Sequence, residues 1–206
     1  MPITAAAVSG FAHGSTVGIM TVVVRASVSL DGYCAGPGVS VAEGMGRDGE
    51  LLHAWQFADD PAPADRAAVE RMRAEVGATV LGRRTYDVGV GHWNDVPFAG
   101  AAFVLTHRPG PDVPMASGTF HFTDAGIAAA VERATAAAGG RTVNVMGGET
   151  VRQALAAGLV DELDLQVVPI LLGDGVRLLD GARADLECVS VTPSPRATHV
   201  HYRVRR

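Results

Sequence analysis

Two consecutive glycines, Gly147 and Gly148, stand between an apolar run and a segment with helical periodicity. The run covers residues 143–146, and residues 149–155 carry their apolar side chains on one helical face. Glycine allows the backbone to approach a ligand closely, and the first N–H groups of a helix attract anions. The segment therefore predicts a phosphate-binding turn. A strand-to-helix turn without a ligand has the same pattern, so the glycines alone leave both interpretations open.

Polar and cationic residues also follow two other predicted strands. The strand over residues 79–81 is followed by Gly82, Arg83, Arg84 and Thr85, and the strand over residues 101–105 by Thr106, His107 and Arg108. Guanidinium and hydroxyl groups bind phosphate well, although arginines at a helix start are commonly solvated instead. Ligands of open α/β sheets bind at the carboxyl ends of the strands, so the three segments together predict a nucleotide with several phosphates.

The elements that would position these residues are βα units followed by a set of strands. Further strands are predicted over residues 22–30, 120–122, 162–168, 176–179, 186–192 and 197–204. Helices are predicted over residues 51–57, 64–76 and 125–138 and directly after Gly148. This order predicts an α/β fold with a mixed sheet and helices on both faces.

One domain, residues 20–206, accounts for most of the chain. Residues 1–19 have small and turn-forming side chains without periodicity, which predicts a disordered leader or a non-native extension. The glycine-rich stretch over residues 34–50 predicts a mobile flap beside the end of the first strand. It contains a G-x-G-x-x-G pattern at residues 44–49, which lies too far beyond the strand to be a dinucleotide fingerprint.

Composition excludes several classes of function. The chain has 206 residues, is 48% hydrophobic and carries a formal net charge of −5, which argues against a nucleic-acid-binding role. No run approaches the roughly 18 apolar residues that a membrane helix needs. All 17 basic residues are arginine, which excludes a Walker phosphate loop and a Schiff-base lysine. The two cysteines, Cys34 and Cys188, are too few for a disulfide framework and favour a cytoplasmic location.

Five ordered segments resemble the dihydrofolate reductase-like superfamily, and within it the RibD C-terminal reductase domain of riboflavin biosynthesis and its stand-alone relatives. They are SVSLDGY (27–33), LGRRTYD (81–87), FVLTHRP (103–109), VMGGETVRQAL (145–155) and PILLGDG (169–175). The resemblance implies a dihydrofolate reductase-like three-layer fold with a mixed, mainly parallel central sheet. It also implies an NADPH-dependent reduction.

The resemblance assigns the cofactor site residue by residue. The residues it implies are Gly82, Arg83, Arg84, Thr85, Thr106, His107, Arg108, Met146, Gly147, Gly148, Glu149 and Thr150. Among these, residues 146–150 match the pyrophosphate site, and residues 106–108 match the loop that binds the 2′-phosphate of the adenosine. An arginine and an imidazole suit that phosphate, whereas an NAD site would place a carboxylate there, so NADPH is the predicted cofactor.

Two aspartates are the candidate catalytic residues on the substrate side. Asp31 matches the flexible loop beside the nicotinamide, and Asp65 occurs near the place where dihydrofolate reductases carry their pterin-binding carboxylate. Either could hold an N–H group of the substrate and help to deliver a proton. Asp65 could equally be a simple helix-start residue, and the long flap departs from the folate enzymes.

The sequence thus predicts an NADPH-dependent reductase that transfers a hydride to a small heterocyclic or carbonyl/imine substrate. One alternative is a non-catalytic nucleotide-binding module. The other is a reductase whose flavin occupies the same phosphate site, and the absorption spectrum of the purified protein would distinguish a bound flavin from NADP. His199 and His201 share one face of a predicted strand, but no further ligand completes a metal site, so none is predicted. The apolar run over residues 163–172 predicts a homodimer.

Overall fold

A computed structural model describes residues 21–93 and 100–206 of the protein. The predicted leader, residues 1–19, lies outside the described residues. The strands are β1 (Val22–Ser29), β2 (Tyr33–Ala35), β3 (Val76–Gly82), β4 (Ala101–Leu105), β5 (Val113–Met115), β6 (Gly118–Thr123), β7 (Thr142–Met146), β8 (Glu162–Val168), β9 (Val176–Arg177), β10 (Asp185–Pro193) and β11 (Thr198–Arg205). The helices are α1 (Pro63–Glu75), α2 (Arg83–Gly89), α3 (Gly126–Ala137) and α4 (Gly148–Ala156), with a short 3₁₀ helix over Gly49–His53.

Nine strands form one twisted sheet in the order β10-β11-β8-β1-β7-β3-β4-β6-β5. The six strands from β8 to β6 run parallel, whereas β5, β11 and β10 join the two edges in antiparallel fashion. The sheet is therefore mixed and mainly parallel. The predicted fold class, an α/β dihydrofolate reductase-like fold, is confirmed.

Helices cover both faces of the sheet. On one face, α3 and α4 pack over apolar strand residues, with Val143, Val145 and Val80 in the same buried cluster as Ala130 and Val151. On the other face, α2 contributes to a second apolar cluster around β3, β4 and β6. On that same face α1 lies over β1 and β8, where a buried network of charged side chains links helix and sheet. The result is the predicted three-layer arrangement.

The junction between α1 and β3 differs from the prediction of a helix to residue 76 and a strand from residue 79. The helix ends at Glu75, and Val76 already belongs to the strand. Gly77 lies within the strand, although glycine weakens strands. Its role is steric: a Cβ at this position would lie 2.2 Å from the carbonyl oxygen of Ala138, at the end of α3. The glycine therefore marks a close approach of two backbones.

Two short strands were not predicted, and one predicted strand is shorter than expected. Strands β2 and β5 have three residues each, too few to show a period of two. The strand predicted over residues 176–179 is limited to Val176–Arg177 and pairs with β2 in a separate two-stranded sheet. The helix predicted over residues 51–57 is the 3₁₀ helix Gly49–His53.

The run over residues 163–172 does not form an exposed apolar surface. Most of it belongs to β8, which lies inside the sheet between β1 and β11. Leu163, Leu165 and Val168 are buried, whereas Pro169 and Leu171 near the end of the run are exposed. Most of this run therefore contributes to the core of the protomer, and the homodimer stays a prediction.

Candidate functional site

The carboxyl ends of β7, β3 and β4 lie side by side, because these parallel strands are neighbours in the sheet. In the register of the sheet, Leu81 of β3 pairs with Met146 of β7, and Gly82 pairs with Leu105 of β4. Residues 82–85, 106–108 and 146–150 therefore all begin at one edge of the sheet. The three segments predicted from sequence as phosphate-binding are brought together.

The starts of α2 and α4 are in direct contact. A Cβ on Gly147 would lie 2.5 Å from the hydroxyl oxygen of Thr85, and a Cβ on Gly82 would lie 2.9 Å from that of Thr150. Gly147 also has a φ of 88°, a conformation that side chains with a Cβ rarely adopt. Glycine is thus required at both positions, because the threonine hydroxyls leave no room for a side chain. Residues 82–85, 106–108 and 146–150 are called the strand-end edge below.

Helix α4 presents its first N–H groups at this edge. Its first intrahelical hydrogen bond runs from the N–H of Val151 to the carbonyl oxygen of Gly147, so the preceding N–H groups have no partner within the helix. Gln153 and Arg152 hydrogen-bond to the carboxylate of Glu149, lower its pKa and hold it on the outer side of the helix. The buried Gly148 leaves no room for a side chain, since a Cβ would lie 2.9 Å from the carbonyl oxygen of Arg177.

The two arginines at the start of α2 have different environments. The Nε atom of Arg83 donates to Asp87 at 2.7 Å, and its guanidinium lies over the rings of Tyr86 and Phe122. Arg84 is exposed and donates from Nη2 to the carbonyl oxygen of Val39, at 3.3 Å. A carboxylate thus already pairs with Arg83, whereas the hydrogen bond that Arg84 makes within the described part of the chain is to a neutral carbonyl.

The loop after β4 carries the other two cations. Thr106 is buried, and its hydroxyl accepts a hydrogen bond from the backbone N–H of Arg108, which closes a tight turn. His107 and Arg108 are exposed at the tip of this turn. Residues 106–110 include no acidic residue, and Asp112 at the far end of the loop is paired with His121 at 2.7 Å.

Strands β1 and β7 are paired only at their beginning. The ladder contains two register pairs, Val22 with Val143 and Val23 with Asn144, although β1 continues to pair with β8 as far as Ser29. The side chain of Asn144 accepts a hydrogen bond from the backbone N–H of Arg25 where the ladder ends. Beyond this point no register pair joins β1 and β7, which leaves a gap in the ladder between their carboxyl-terminal halves. Gly147 directly follows β7.

Asp31 lies just past the end of β1 and is held by three donors. Its carboxylate accepts hydrogen bonds from the Ser29 hydroxyl at 2.5 Å and from the backbone N–H groups of Leu172 and Gly173 at 3.2 and 2.8 Å. The hydrogen bond from Ser29 is the largest of the effects that lower the pKa of Asp31. The carboxylate therefore stays ionised and ties the end of β1 to the loop after β8. Contact with a substrate stays a prediction for this residue.

Asp65 is buried and faces the sheet. Its Oδ1 atom lies 2.7 Å from Nε2 of His199, and the two side chains are 0% and 5% exposed. Oδ2 of Asp65 has no hydrogen-bond partner among the described residues. Asp65 does lie in the first turn of α1, so the helix-start role and the substrate role both stay predictions. Trp55 meets the His199 ring edge-on and donates from Nε1 to the Ser27 hydroxyl. Asp65 is thereby connected through His199 and Trp55 to the buried hydroxyl of Ser27 on β1.

Sequence reasoning assigned His199 only a packing or surface role. The alternation of His199 and His201 with Val200 does place both imidazoles on the face opposite the apolar core. The pairing with Asp65 joins residues 134 positions apart, however, and no local pattern could indicate it. Within the described ranges, no group of three or more His, Cys, Asp and Glu side chains could hold a metal ion.

The predicted flap folds into a compact loop. The N–H of Gly36 donates to the carbonyl oxygen of Met45, and the N–H of Arg47 to that of Pro37. The loop also contacts α2 and the residues after it, through Arg84 to Val39 and through a 3.2 Å contact between His92 and the carbonyl oxygen of Val41. It thus spans the distance between β2 and the start of α2.

The RibD C-terminal domain family matches residues 20–200. The chain belongs to this family. No match is found among curated proteins. In the part that the structure describes, no helix of this RibD C-terminal domain is long and apolar enough to cross a membrane.

Solved structures share the fold. A Shewanella protein assigned to riboflavin biosynthesis is 24% identical, with a TM-score of 0.67, over 91% of this chain and 100% of its own. The Thermotoga maritima diaminohydroxyphosphoribosylaminopyrimidine deaminase/5-amino-6-(5-phosphoribosylamino)uracil reductase is 13% identical, with a TM-score of 0.64 over 90% of this chain. The present chain spans 57% of that longer protein. A pyrimidine reductase-like protein of Corynebacterium diphtheriae is 15% identical, with a TM-score of 0.60 over 92% of this chain and 94% of its own.

Proposed function

We propose that this RibD C-terminal domain is an NADPH-dependent reductase that transfers a hydride to a small heterocyclic or carbonyl/imine substrate. The contact between the starts of α2 and α4 carries the proposal. Gly147 and Gly82 are held against the hydroxyls of Thr85 and Thr150, so that N–H groups and hydroxyls converge where no side chain intervenes. An edge of this kind suits a pyrophosphate, because N–H and hydroxyl donors would surround the anion and the carboxylate of Glu149 is hydrogen-bonded to Arg152 and Gln153.

The residues of the strand-end edge fit the two charged parts of NADPH. The α4 start, from Gly148 to Thr150, would hold the pyrophosphate through its N–H groups. The exposed side chains of His107 and Arg108 would hold the 2′-phosphate, with Arg84 between the two sites. The bound cofactor supplies the hydride, and the protein orients it and excludes water.

The gap between β1 and β7 fits the reacting end of the cofactor and the substrate. It borders β7, which Gly147 directly follows, on the side away from the loop of residues 106–108, so an extended dinucleotide would cross the edge from β4 to β1. Asp31 stands at the end of β1 with a lowered pKa and would act there as a hydrogen-bond acceptor for a substrate N–H group. Asp65 would act on the substrate only through Trp55 and Ser27, or after a rearrangement of α1.

The names of two related structures suggest a pyrimidine as the first substrate to test. Purified protein would be mixed with 5-amino-6-(5-phosphoribosylamino)uracil and either NADPH or NADH, and loss of the near-ultraviolet absorbance of the reduced nicotinamide would be followed. The proposal expects substrate-dependent oxidation of NADPH. NADPH binding without turnover on any pyrimidine, carbonyl or imine would favour the non-catalytic module, and a yellow protein with bound flavin would favour the flavin alternative.

A further inference from the structure

Helix α1 buries little apolar surface. Of its 13 residues, only Asp65 and Ala68 are buried, and Val69 is partly buried. Helix α3 is of similar length, with 12 residues, and buries three apolar side chains, Ala130, Val131 and Ala134. A helix on the surface of a globular domain ordinarily packs through an apolar stripe along its length. Helix α1 therefore lacks most of the burial that normally holds a helix to a sheet.

Ionisable side chains link α1 to the sheet instead. Each pair joins the helix to a different strand: Asp65 with His199 of β11, Arg71 with Asp164 of β8, and Glu75 with Arg25 of β1. These six residues are called the charge layer below. The pairs are distributed from the first turn of α1 to its last residue. The three side chains on the strands are only 5%, 7% and 8% exposed, so the contact between α1 and the sheet is built chiefly from buried ionisable groups.

The charge layer regains hydration when α1 separates from the sheet. Charged groups that pair inside a protein lose their hydration, and the attraction between them offsets only part of this loss. In the described part of the chain, the buried atoms Oδ2 of Asp65 and Nδ1 of His199 have no hydrogen-bond partner. Both atoms would gain hydrogen bonds to water in an open state. Separation of α1 is therefore opposed by little apolar burial and favoured by rehydration.

We propose that α1 opens from the sheet as a unit while the main core of the domain stays folded. Local opening takes place most readily in segments with few buried apolar contacts. The main apolar cluster under α3 and α4 lies on the opposite face of the sheet and, where the structure describes it, contains no residue of α1. The loss of the contacts made by α1 thus leaves that cluster complete.

An open α1 would uncover one side of β1 next to the proposed substrate gap. Asp65 is in the first turn of α1, and its partner His199 is in register with Gln166 of β8, which is in register with Ser27 of β1. Ser27 lies two residues before the end of β1. Opening would therefore free the Asp65 carboxylate near the end of this strand. This consequence for the substrate rests on the proposed function, whereas the opening of α1 itself does not.

Hydrogen–deuterium exchange of the full chain measures the opening directly, and without cofactor or substrate its result is independent of the proposed function. Residues 67–75 of α1 and 130–137 of α3 are compared, because both segments lie within helices. The α1 amides should share one protection factor that is about 100-fold below that of the α3 amides. Equal protection of the two helices would overturn the proposal. A gradient of protection along α1 would also overturn it, because the helix would then fray from one end.

Two variants of α1 test whether the charge layer controls the opening. Arg71→Met removes one pair but leaves Asp164 paired with Arg25, and it should lower the protection of the α1 amides by roughly tenfold. Arg73→Met is the matched control, since Arg73 is an exposed arginine of the same helix, and it should leave the protection unchanged. Equal effects of the two changes would overturn the proposal.

An apolar pair in the charge layer should hold the helix closed. Asp65→Leu combined with His199→Leu replaces a buried ionisable pair with an apolar pair, an exchange that is often stabilising. The α1 amides of this double variant should be protected roughly tenfold more than those of wild type. Circular dichroism would confirm that each variant is folded. If the protection of α1 does not rise in the folded double variant, the charge layer does not control the opening and the proposal is overturned.

Discussion

Thr85 and Gly147 are so close that a Cβ on the glycine would lie 2.5 Å from the threonine hydroxyl oxygen. Thr85 lies in the first turn of α2, which follows β3, and Gly147 directly follows β7, so their contact joins the ends of two neighbouring strands. A helix start alone is a weak indication of a ligand site. Here the starts of α2 and α4 are in contact, and the loop with His107 and Arg108 follows the next strand, β4. Together they form a continuous surface on which an extended anion could bind.

Gly147→Ala should destabilise the protein for two reasons. The residue has a φ of 88°, which strains any residue with a Cβ by about 1–3 kcal/mol, and the new methyl group would also press on Thr85. Gly158→Ala is the matched control, since Gly158 has a φ of 65° and nothing within 4 Å of its Cβ position. Urea denaturation should show a larger loss of unfolding free energy for Gly147→Ala. Equal losses would mean that the contact with Thr85 is easily relieved.

Arg108→Ala should weaken NADPH binding much more than NADH binding. Loss of a charge-assisted contact with the 2′-phosphate corresponds to about 1.5–3 kcal/mol. Arg196→Ala, at an exposed arginine in the turn between β10 and β11, serves as the control for a general change in charge. Calorimetric titration with both cofactors would measure the effect. If Arg108→Ala weakens both cofactors equally, the loop does not recognise the 2′-phosphate.

Asp31→Asn should destabilise the protein at neutral pH but much less in acid. The folded-state pKa of Asp31 is lowered, chiefly by the Ser29 hydroxyl, so the ionised carboxylate contributes its full stabilisation above the unfolded pKa. That contribution is lost as the pH falls through the folded-state value. Denaturation of wild type and variant at several pH values would test this, with Asp174→Asn as a control in the adjacent loop. If the difference in unfolding free energy stays constant into strong acid, the ionised carboxylate does not stabilise the fold through its hydrogen bonds from Leu172 and Gly173.

His199→Ala should strongly destabilise the fold. The change leaves the carboxylate of Asp65 buried without its partner, and removal of one member of a buried pair costs about 3–5 kcal/mol. Replacing both residues with leucine should cost less, because no unpaired charge remains. Chemical denaturation of the single and double variants would give the comparison. If Asp65→Asn abolishes turnover while stability is nearly unchanged, the carboxylate acts on the substrate rather than on the fold.

Local patterns were sufficient to predict the strand-end segments. Gly147 and Gly148 interrupt an apolar run, and residues 82–85 and 106–108 directly follow strands, so each segment is defined by residues a few positions apart. The parallel order of the sheet then brings them together. This is why the strand-end edge of the site was predicted and the fold class was confirmed.

Contacts between distant residues were not predictable in the same way. Asp65 and His199 are 134 residues apart, and β2 pairs with β9 across more than half of the chain. The sequence shows that β8 is hydrophobic. It does not show whether the strand is central or at an edge, because that depends on where later strands join the sheet. β11 pairs with the edge of β8, so β8 lies inside the sheet.

The central claim is that the edge formed by Gly147, Thr85 and the Arg108 loop binds NADPH. Calorimetric titration of the wild-type protein with NADPH and with NADH under identical conditions tests it most directly. The account predicts one NADPH per chain and binding of NADH that is weaker by about tenfold or more. Equal affinity for the two cofactors, or no binding of either by folded protein, would contradict it.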